Sequence, residues 1–169
     1  IRYSSVTGVQ TCALPIFARE EIITAVSQMN AVINLAPGSL GATLTEQIVR
    51  SGEIIDISRD IIRPFYMSKA ERAVSLFREK LQGLDFHIHK PEGAIFLWLW
   101  FRGIKMDSDT LYERLKKRGV LIVPGHYFFP GLEGEWQHRK ECIRVTYSQG
   151  DDTVSRGIEI IADEVRKAY

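Results

Sequence analysis

Arg144 is the residue of this sequence with the clearest chemical use. It lies in the segment CIRVTYS, which alternates apolar and polar residues as a strand with one buried face does. On such a strand Arg144 shares a face with Cys142 and Thr146 and lies opposite Ile143 and Val145. A guanidinium held on a rigid strand can bind a carboxylate through two parallel hydrogen bonds. Spacing alone nevertheless favours an arginine that faces solvent.

A second candidate is the segment VPGHYFFPGLEG, in which glycine and proline predict a loop. The loop carries His126, Tyr127, Phe128 and Phe129 and follows a short apolar run, VLIV, that predicts a buried strand. Loops anchored to rigid strands often carry binding residues. An equally weighted alternative is that both phenylalanines enter the core and His126 faces solvent.

Other reactive side chains carry weaker signals. His87 and His89 share one face of the alternating segment DFHIHK, but no third ligand accompanies them, so we expect a solvated strand face and no metal site. Lys69 follows a serine in MSKAERA. Because this segment has a helical pattern and no glycine to expose the amine, we interpret Lys69 as part of a surface helix.

The composition excludes several classes of protein. The 169 residues carry a formal net charge of +1, which gives no reason to expect binding to nucleic acid or to an anionic membrane. The longest apolar run, AIFLWLWF, is too short to cross a bilayer as a helix. Cys12 and Cys142 do not form a disulfide framework, and a reducing, cytoplasmic location is expected.

The first residues have a different character. The string VTGVQTCALPI, residues 6–16, matches the in-frame translation of a common sequencing-library adapter over eleven consecutive residues. We therefore expect residues 1–17 to be a non-native, disordered head. On this interpretation the true protein begins near Phe17, and the chain is a C-terminal piece of a longer protein.

The remaining pattern predicts a helical part followed by a mixed part. Helical periodicity covers residues 18–52 with a break at LAPGSLG, and continues through a long helix that Pro64 should break or kink. From residue 85 the order is strand, strand, helix, strand, strand, helix. This order predicts an α/β fold class, in the form of a small α+β domain. We expect residues 18–52 to be a remnant of a larger domain and residues 53–169 to be a small C-terminal domain.

Three segments together resemble one family. KPEGAIFLWLWF, RGVLIVPGHYFFPG and CIRVTYS are similar to the C-terminal part of pyridoxal-phosphate-dependent class I and II aminotransferases of fold type I. The resemblance implies that Arg144 binds the substrate α-carboxylate. It also implies that Gly93 and the turn of Gly125, His126 and Tyr127 border the substrate pocket.

The resemblance implies further properties of the parent protein. They are pyridoxal phosphate as cofactor, amino acids and 2-oxo acids as substrates, and a homodimer in which NLAPGSLG lies near the subunit interface. The family's lysine that binds the cofactor has no counterpart here, and Lys69 does not match it. The aspartate and the glycine-rich segment that hold the cofactor are also unmatched. We therefore expect no catalytic and no cofactor-binding residue in this chain, and we expect the chain alone to be inactive.

Two alternatives stay open at this point. The chain could be the aminotransferase-like ligand-binding domain of a transcriptional regulator, which an upstream helix-turn-helix would mark. It could also be a non-catalytic α/β domain that binds carboxylates through Arg144.

Overall fold

The computed structural model describes residues 4–7, 13–16, 18–33 and 40–169, and it divides into two units, residues 1–58 and 59–169. The first unit contains strands β1 (Ser4–Thr7) and β2 (Ala13–Ile16), which pair antiparallel. The disorder expected of residues 1–17 stays a prediction, since much of that segment lies outside the described residues. The adapter origin of the head and the predicted domain boundary stay predictions.

The described part of the first unit also contains the helices α1 (Glu20–Ile33), α2 (Leu40–Ser51) and α3 (Glu53–Ile57). The helical prediction is confirmed for them, whereas most of the break at LAPGSLG lies outside the described residues. The spacing of Ile22, Val26 and Met29 predicts that they share one face of a half-buried helix, and this prediction is only partly right. Ile23 is buried and Val26 half-buried, but Ile22 and Met29 are exposed.

A long helical run follows and contains an irregular turn. A π-helical turn, Ser58–Ile62, comes directly before α4 (Arg63–Lys80), in which Pro64 occupies the first turn. Proline has no backbone N–H and its ring crowds the preceding turn, so the regular hydrogen-bond pattern cannot continue through it. The sequence predicts a break or kink at Pro64, and the structure shows a wider, π-helical turn directly before the helix that contains this proline.

The second unit is built on a four-stranded antiparallel sheet. Its strands are β3 (Phe86–Ile88), β4 (Phe96–Phe101), β5 (Val123–Pro124) and β6 (Cys142–Thr146), in the spatial order β3-β4-β6-β5. Strand β6 therefore has a hydrogen-bonded neighbour on each side. The prediction of a small α+β domain is confirmed.

Helices cover one face of this sheet. They are α4, α5 (Ser108–Lys117) and α7 (Asp151–Arg166), while a short α6 (Gln137–Lys140) precedes β6. The core consists of alternate residues of the central strands packed against apolar stripes of these helices. Its fully buried members include Phe77, Leu97, Leu99, Phe101, Leu111, Leu115, Ile143 and Val165. The opposite face of the sheet is left for other side chains.

Local signals set the ends of α5. The sequence predicts Asp107 or Ser108 as the N-cap. The Asp107 carboxylate takes this role: it accepts a hydrogen bond from the Thr110 amide at 2.8 Å, and this bond holds the pKa of Asp107 below its ordinary value. Gly119 follows the helix with a φ of 79°, a left-handed conformation that favours glycine. The buried strand predicted for VLIV is only partly right. Only Val123 and the proline that follows it, Pro124, form a strand, and Leu121 is exposed.

Candidate functional site

Arg144 lies at the middle of β6 and directly opposite residues of both neighbouring strands. It is paired in register with Trp98 of β4 and with Val123 of β5. Its neighbours along the strand, Ile143 and Val145, are buried in the core below the sheet. Because side chains alternate along a strand, Arg144 points to the face of the sheet that lies away from α4, α5 and α7.

Two aromatic rings contact the Arg144 guanidinium on that face. Its Cζ atom is 4.2 Å from the ring centre of Phe96 and 4.6 Å from the ring centre of Phe128. These distances are typical of a cation–π contact. Phe96 belongs to β4, whereas Phe128 belongs to the turn that follows β5, so the two rings approach from the two sides of β6.

The guanidinium has no acidic partner among the described residues. Its Nε atom is buried without a hydrogen-bond acceptor. No ion pair and no hydrogen bond joins the two Nη atoms to any part of the chain that the structure describes. A half-buried cation of this kind has donors available for an anion from outside the chain.

The turn Gly125–Phe128 approaches β6 unusually closely. A Cβ atom on Gly125 would lie 2.6 Å from the Cβ and 2.6 Å from the carbonyl oxygen of Cys142, and 2.9 Å from the carbonyl oxygen of Arg139. The φ of Gly125 is not in the left-handed region, so glycine is required here by space and not by backbone angle. This approach brings Phe128 within reach of Arg144.

The other predicted residues of this turn point elsewhere. His126 Nδ1 lies 3.4 Å from Asp109 Oδ2 on α5, and the His126 ring packs against Tyr127 at 4.1 Å between ring centres. Tyr127 is exposed. His126 and Tyr127 thus belong to the turn, but the described contacts of their rings are with Asp109 and with each other and not with Arg144. The alternative in which Phe128 enters the core is wrong, because Phe128 packs on Arg144 and on Trp98.

Gly93 lies in the segment that leads into β4. The next residue, Ala94, has a φ of 61°, an uncommon angle for a residue with a side chain, and its carbonyl oxygen accepts a hydrogen bond from the Tyr147 hydroxyl at 2.8 Å. Thr146 Oγ1 donates to the Ile95 carbonyl oxygen at 3.1 Å. The segment after Gly93 is thus attached to the end of β6, two residues from Arg144.

Aromatic side chains extend across the rest of this face. Starting at Phe128, each ring contacts the next one, and the centres of these neighbouring rings are 4.6 to 5.9 Å apart. We call this set the aromatic ladder; its members are Phe128, Trp98, Phe129, Trp136, His138, Trp100 and His87. It includes His87, one of the two histidines considered as metal ligands.

Two polar groups at the start of β6 are also accounted for. Glu141 is buried and accepts hydrogen bonds from Trp100 Nε1 at 2.8 Å and from the Gly103 amide at 3.1 Å. Cys142 is fully buried, and burial raises the pKa of its thiol to about 12. The thiol therefore stays protonated at neutral pH and is a poor nucleophile.

The described residues do not fit a pyridoxal phosphate site. Lys69 is the buried lysine among them, and its ammonium already donates to the Gln149 carbonyl oxygen at 2.6 Å and to Asp151 Oδ1 at 3.1 Å. Lys69 lies in the helix α4, as its pattern predicts, but its side chain is buried and held in these structural contacts. Within the described ranges no group of three or more His, Cys, Asp or Glu is arranged to hold a metal ion. No described helix has the length and apolar character to span a bilayer.

The sequence analysis did not identify the immediate neighbours of Arg144. The apolar run AIFLWLWF predicts a strand covered on both faces, which contains Phe96, and Phe128 belongs to a predicted loop. Only the pairing of β4, β6 and β5 brings both rings to one guanidinium. Successive side chains of a strand point to opposite faces, so the sequence already indicates that Phe96 and Trp98, two residues apart, lie on the same face of β4.

Fold and site together define the class. The model of the family "Aminotransferase class I and II" matches residues 15–161, and the chain belongs to that family. This match disfavours the alternative in which the chain is a carboxylate-binding domain outside the family.

More specific relatives are similar over nearly the whole chain. It is 42% identical over 154 residues to the valine–pyruvate aminotransferase of Escherichia coli K12, covering 91% of this chain and 37% of that protein. A crystal structure of the valine–pyruvate aminotransferase of Salmonella typhimurium LT2 is 42% identical with a TM-score of 0.77, covering 91% of this chain and 40% of the other. A putative amino-acid aminotransferase from Psychrobacter arcticum 273-4 is 46% identical with a TM-score of 0.79, covering 92% and 36%. The chain thus spans well under half the length of these relatives.

Proposed function

We propose that this chain is the C-terminal part of an aminotransferase that moves an amino group between valine- or alanine-type amino acids and pyruvate or related 2-oxo acids. Similarity to two valine–pyruvate aminotransferases supports the reaction and the substrate class. The family implies pyridoxal phosphate for the complete protein, and we propose a cytoplasmic homodimer as its form. The described residues supply no cofactor anchor, so the chain alone should be inactive.

We assign to Arg144 the binding of the substrate α-carboxylate. The observation that carries this assignment is the half-buried guanidinium on a central strand with no acidic partner among the described residues. Valine and pyruvate each carry one carboxylate, which two terminal N–H groups can bind in a bidentate manner. The aromatic surroundings limit water around that charge pair and so strengthen it.

The other predicted site residues receive more limited roles. We propose that Gly125 allows the turn to approach β6, and that Gly93 together with the segment after it forms one border of the pocket. His126 and Tyr127 would form the outer border, since Tyr127 is exposed.

A chimera tests the proposal directly. Residues 18–169 would replace the corresponding C-terminal part of the E. coli valine–pyruvate aminotransferase, and transamination between valine and pyruvate would be measured. We expect an active chimera in which Arg144→Ala lowers kcat/KM by about 30-fold or more, because truncating one member of a buried charge pair costs about 2–5 kcal/mol. Arg114→Ala, which removes an exposed arginine of α5, is the matched control and should have no effect.

Two results would contradict the proposal. One is a folded, active chimera whose kcat/KM is unchanged by Arg144→Ala. The other concerns the isolated chain, for which we predict no stoichiometric adduct with pyridoxal phosphate after borohydride reduction. Such an adduct at one lysine would show that this chain holds the cofactor by itself.

A further inference from the structure

The surroundings of Arg144 indicate how its guanidinium is oriented, in addition to showing that a cation lies there. Three nitrogen atoms of a guanidinium can offer N–H groups to a carboxylate, either end-on through Nη1 and Nη2 or side-on through Nε and one Nη. Here Nε is buried and has no acceptor, while the two Nη atoms have no partner among the described residues. The Nε edge of the guanidinium is therefore covered, whereas the Nη1–Nη2 edge has its N–H groups available for a ligand.

Two phenylalanine rings lie against this guanidinium. The ring centres of Phe96 and Phe128 lie 4.2 and 4.6 Å from Arg144 Cζ; Phe96 belongs to β4 on one side of β6, and Phe128 to the turn after β5 on the other side. Each ring attracts the cation through its π-electron face, and together they restrict rotation of a long side chain that is otherwise mobile. No carboxylate of a described residue competes for the guanidinium.

We propose that Phe96 and Phe128 are positioning residues that fix Arg144 in one orientation, with Nε covered and the Nη1–Nη2 edge presented to the substrate carboxylate. This inference rests on the proposed function for its ligand. It adds two residues that act through Arg144, and it specifies end-on binding. Both are absent from the site residues expected from the sequence.

The first experiment examines the orientation in the free chain, with no ligand. The chain is labelled with 15N-arginine, and the Nε–H resonance of Arg144 is assigned by its loss in Arg144→Lys. A proton held near two aromatic faces experiences ring currents, so we expect this resonance upfield of the other arginines and slow in exchange with water. Phe96→Leu or Phe128→Leu should each move it toward the position of an exposed arginine.

Trp136→Leu serves as the matched control. Trp136 belongs to the same aromatic ladder, but its ring contacts are with Phe129 and His138 and not with Arg144. The Arg144 resonance should stay in place in this variant. An Arg144 Nε–H at the ordinary position in the unaltered chain, or one that neither leucine variant moves, would overturn the inference.

The second experiment measures the effect on substrate binding in the chimera. Loss of one cation–π contact of a partly exposed cation corresponds to a change of about three- to fivefold. We expect KM for both valine and pyruvate to rise by that factor in Phe96→Leu and in Phe128→Leu, with kcat within about twofold, because the contact acts equally on ground and transition states. Phe128→Tyr, which keeps the ring, should restore KM.

The results separate the two proposals. If Arg144→Ala abolishes activity while both leucine variants keep the original KM, the positioning role is wrong and the carboxylate assignment stands. If Arg144→Ala has no effect, the carboxylate assignment is wrong, whatever the resonance shows. If carboxylate addition to the chimera moves the Nε–H resonance downfield as a direct hydrogen bond would, end-on binding is wrong.

Discussion

Substitution of Gly125 by alanine tests the geometry on which the site depends. The added Cβ would lie 2.6 Å from two atoms of Cys142 and 2.9 Å from the Arg139 carbonyl oxygen. These atoms are a Cβ and backbone oxygens, which cannot move aside as the end of a long side chain can. The turn must therefore shift away from β6, and Phe128 must shift with it.

The cost can be worked out from two opposing effects. Inserting a methyl group into a closely packed site costs about 1–3 kcal/mol. Replacing glycine by alanine where the backbone angle is permitted returns about 0.4–1 kcal/mol, because the unfolded chain loses freedom. The free energy of unfolding should therefore fall by about 1–2 kcal/mol, which lowers Tm by about 5–10 °C for a domain of this size.

Urea and thermal unfolding of the chain measure this change, and Gly157→Ala is the matched control. A Cβ on Gly157, in the interior of α7, would meet no atom within 4 Å, so this variant should gain about 0.5–1 kcal/mol in helix propensity. Cys142→Ala should not rescue Gly125→Ala, since the Cβ and the carbonyl oxygen both remain. Unchanged stability of Gly125→Ala, together with an unshifted Arg144 resonance, would refute the close approach.

Three further predictions concern buried and paired groups. At pH about 8.5, where an exposed thiol is half ionised, Cys142 should resist iodoacetamide in the folded chain and react after unfolding, as peptide mass spectrometry can follow. Hydrogen bonding from Lys69 lowers the pKa of Asp151 below 3.8, so the pair contributes stability that is present above that pH and lost as the pH falls through the lowered pKa; Asp151→Asn should flatten the acid limb of a stability–pH profile. Glu141→Leu should cost about 1–3 kcal/mol in urea unfolding, because it leaves the Trp100 Nε1–H without an acceptor.

Each of these predictions has a definite contrary result. Rapid modification of the native Cys142 thiol would show that the start of β6 opens readily. Acid unfolding that is identical with and without the Asp151 carboxylate would show that the Lys69–Asp151 pair contributes no stability. A leucine at position 141 that leaves stability unchanged would show that water replaces the lost acceptor.

Much of the fold could be predicted because its signals are local. An N-cap of α5 at Asp107 or Ser108 follows from residue type and position, and Asp107 takes that role in the structure. The start of α7 follows from Asp151 and Asp152 ahead of a regular apolar stripe. The strand of AIFLWLWF follows from its β-branched and aromatic content. Predictions failed where the outcome depends on neighbours: Leu121 is exposed because the chain there lies outside the short edge strand β5.

The site was only half predictable for the same reason. Arg144 could be assigned to one face of a strand from alternation, but whether that face holds water or aromatic rings depends on the register of β4 against β6. The resemblance pointed to Gly125 without giving a cause, which is the approach of the turn to Cys142. Phe96 and Phe128 come from segments about 30 residues apart, and no local pattern links them.

The location of Arg144 on an interior strand has a consequence for how such a protein changes its ligand. Strand β6 is hydrogen-bonded along both edges, so its backbone is among the last parts of the domain to open. If Arg144 binds the acid group as proposed, its position is thereby kept constant, while the chain between β5 and β6, which carries the proposed outer border of the pocket, has no long strand to preserve. Variation in that border would then alter the size of the molecule admitted without moving the guanidinium.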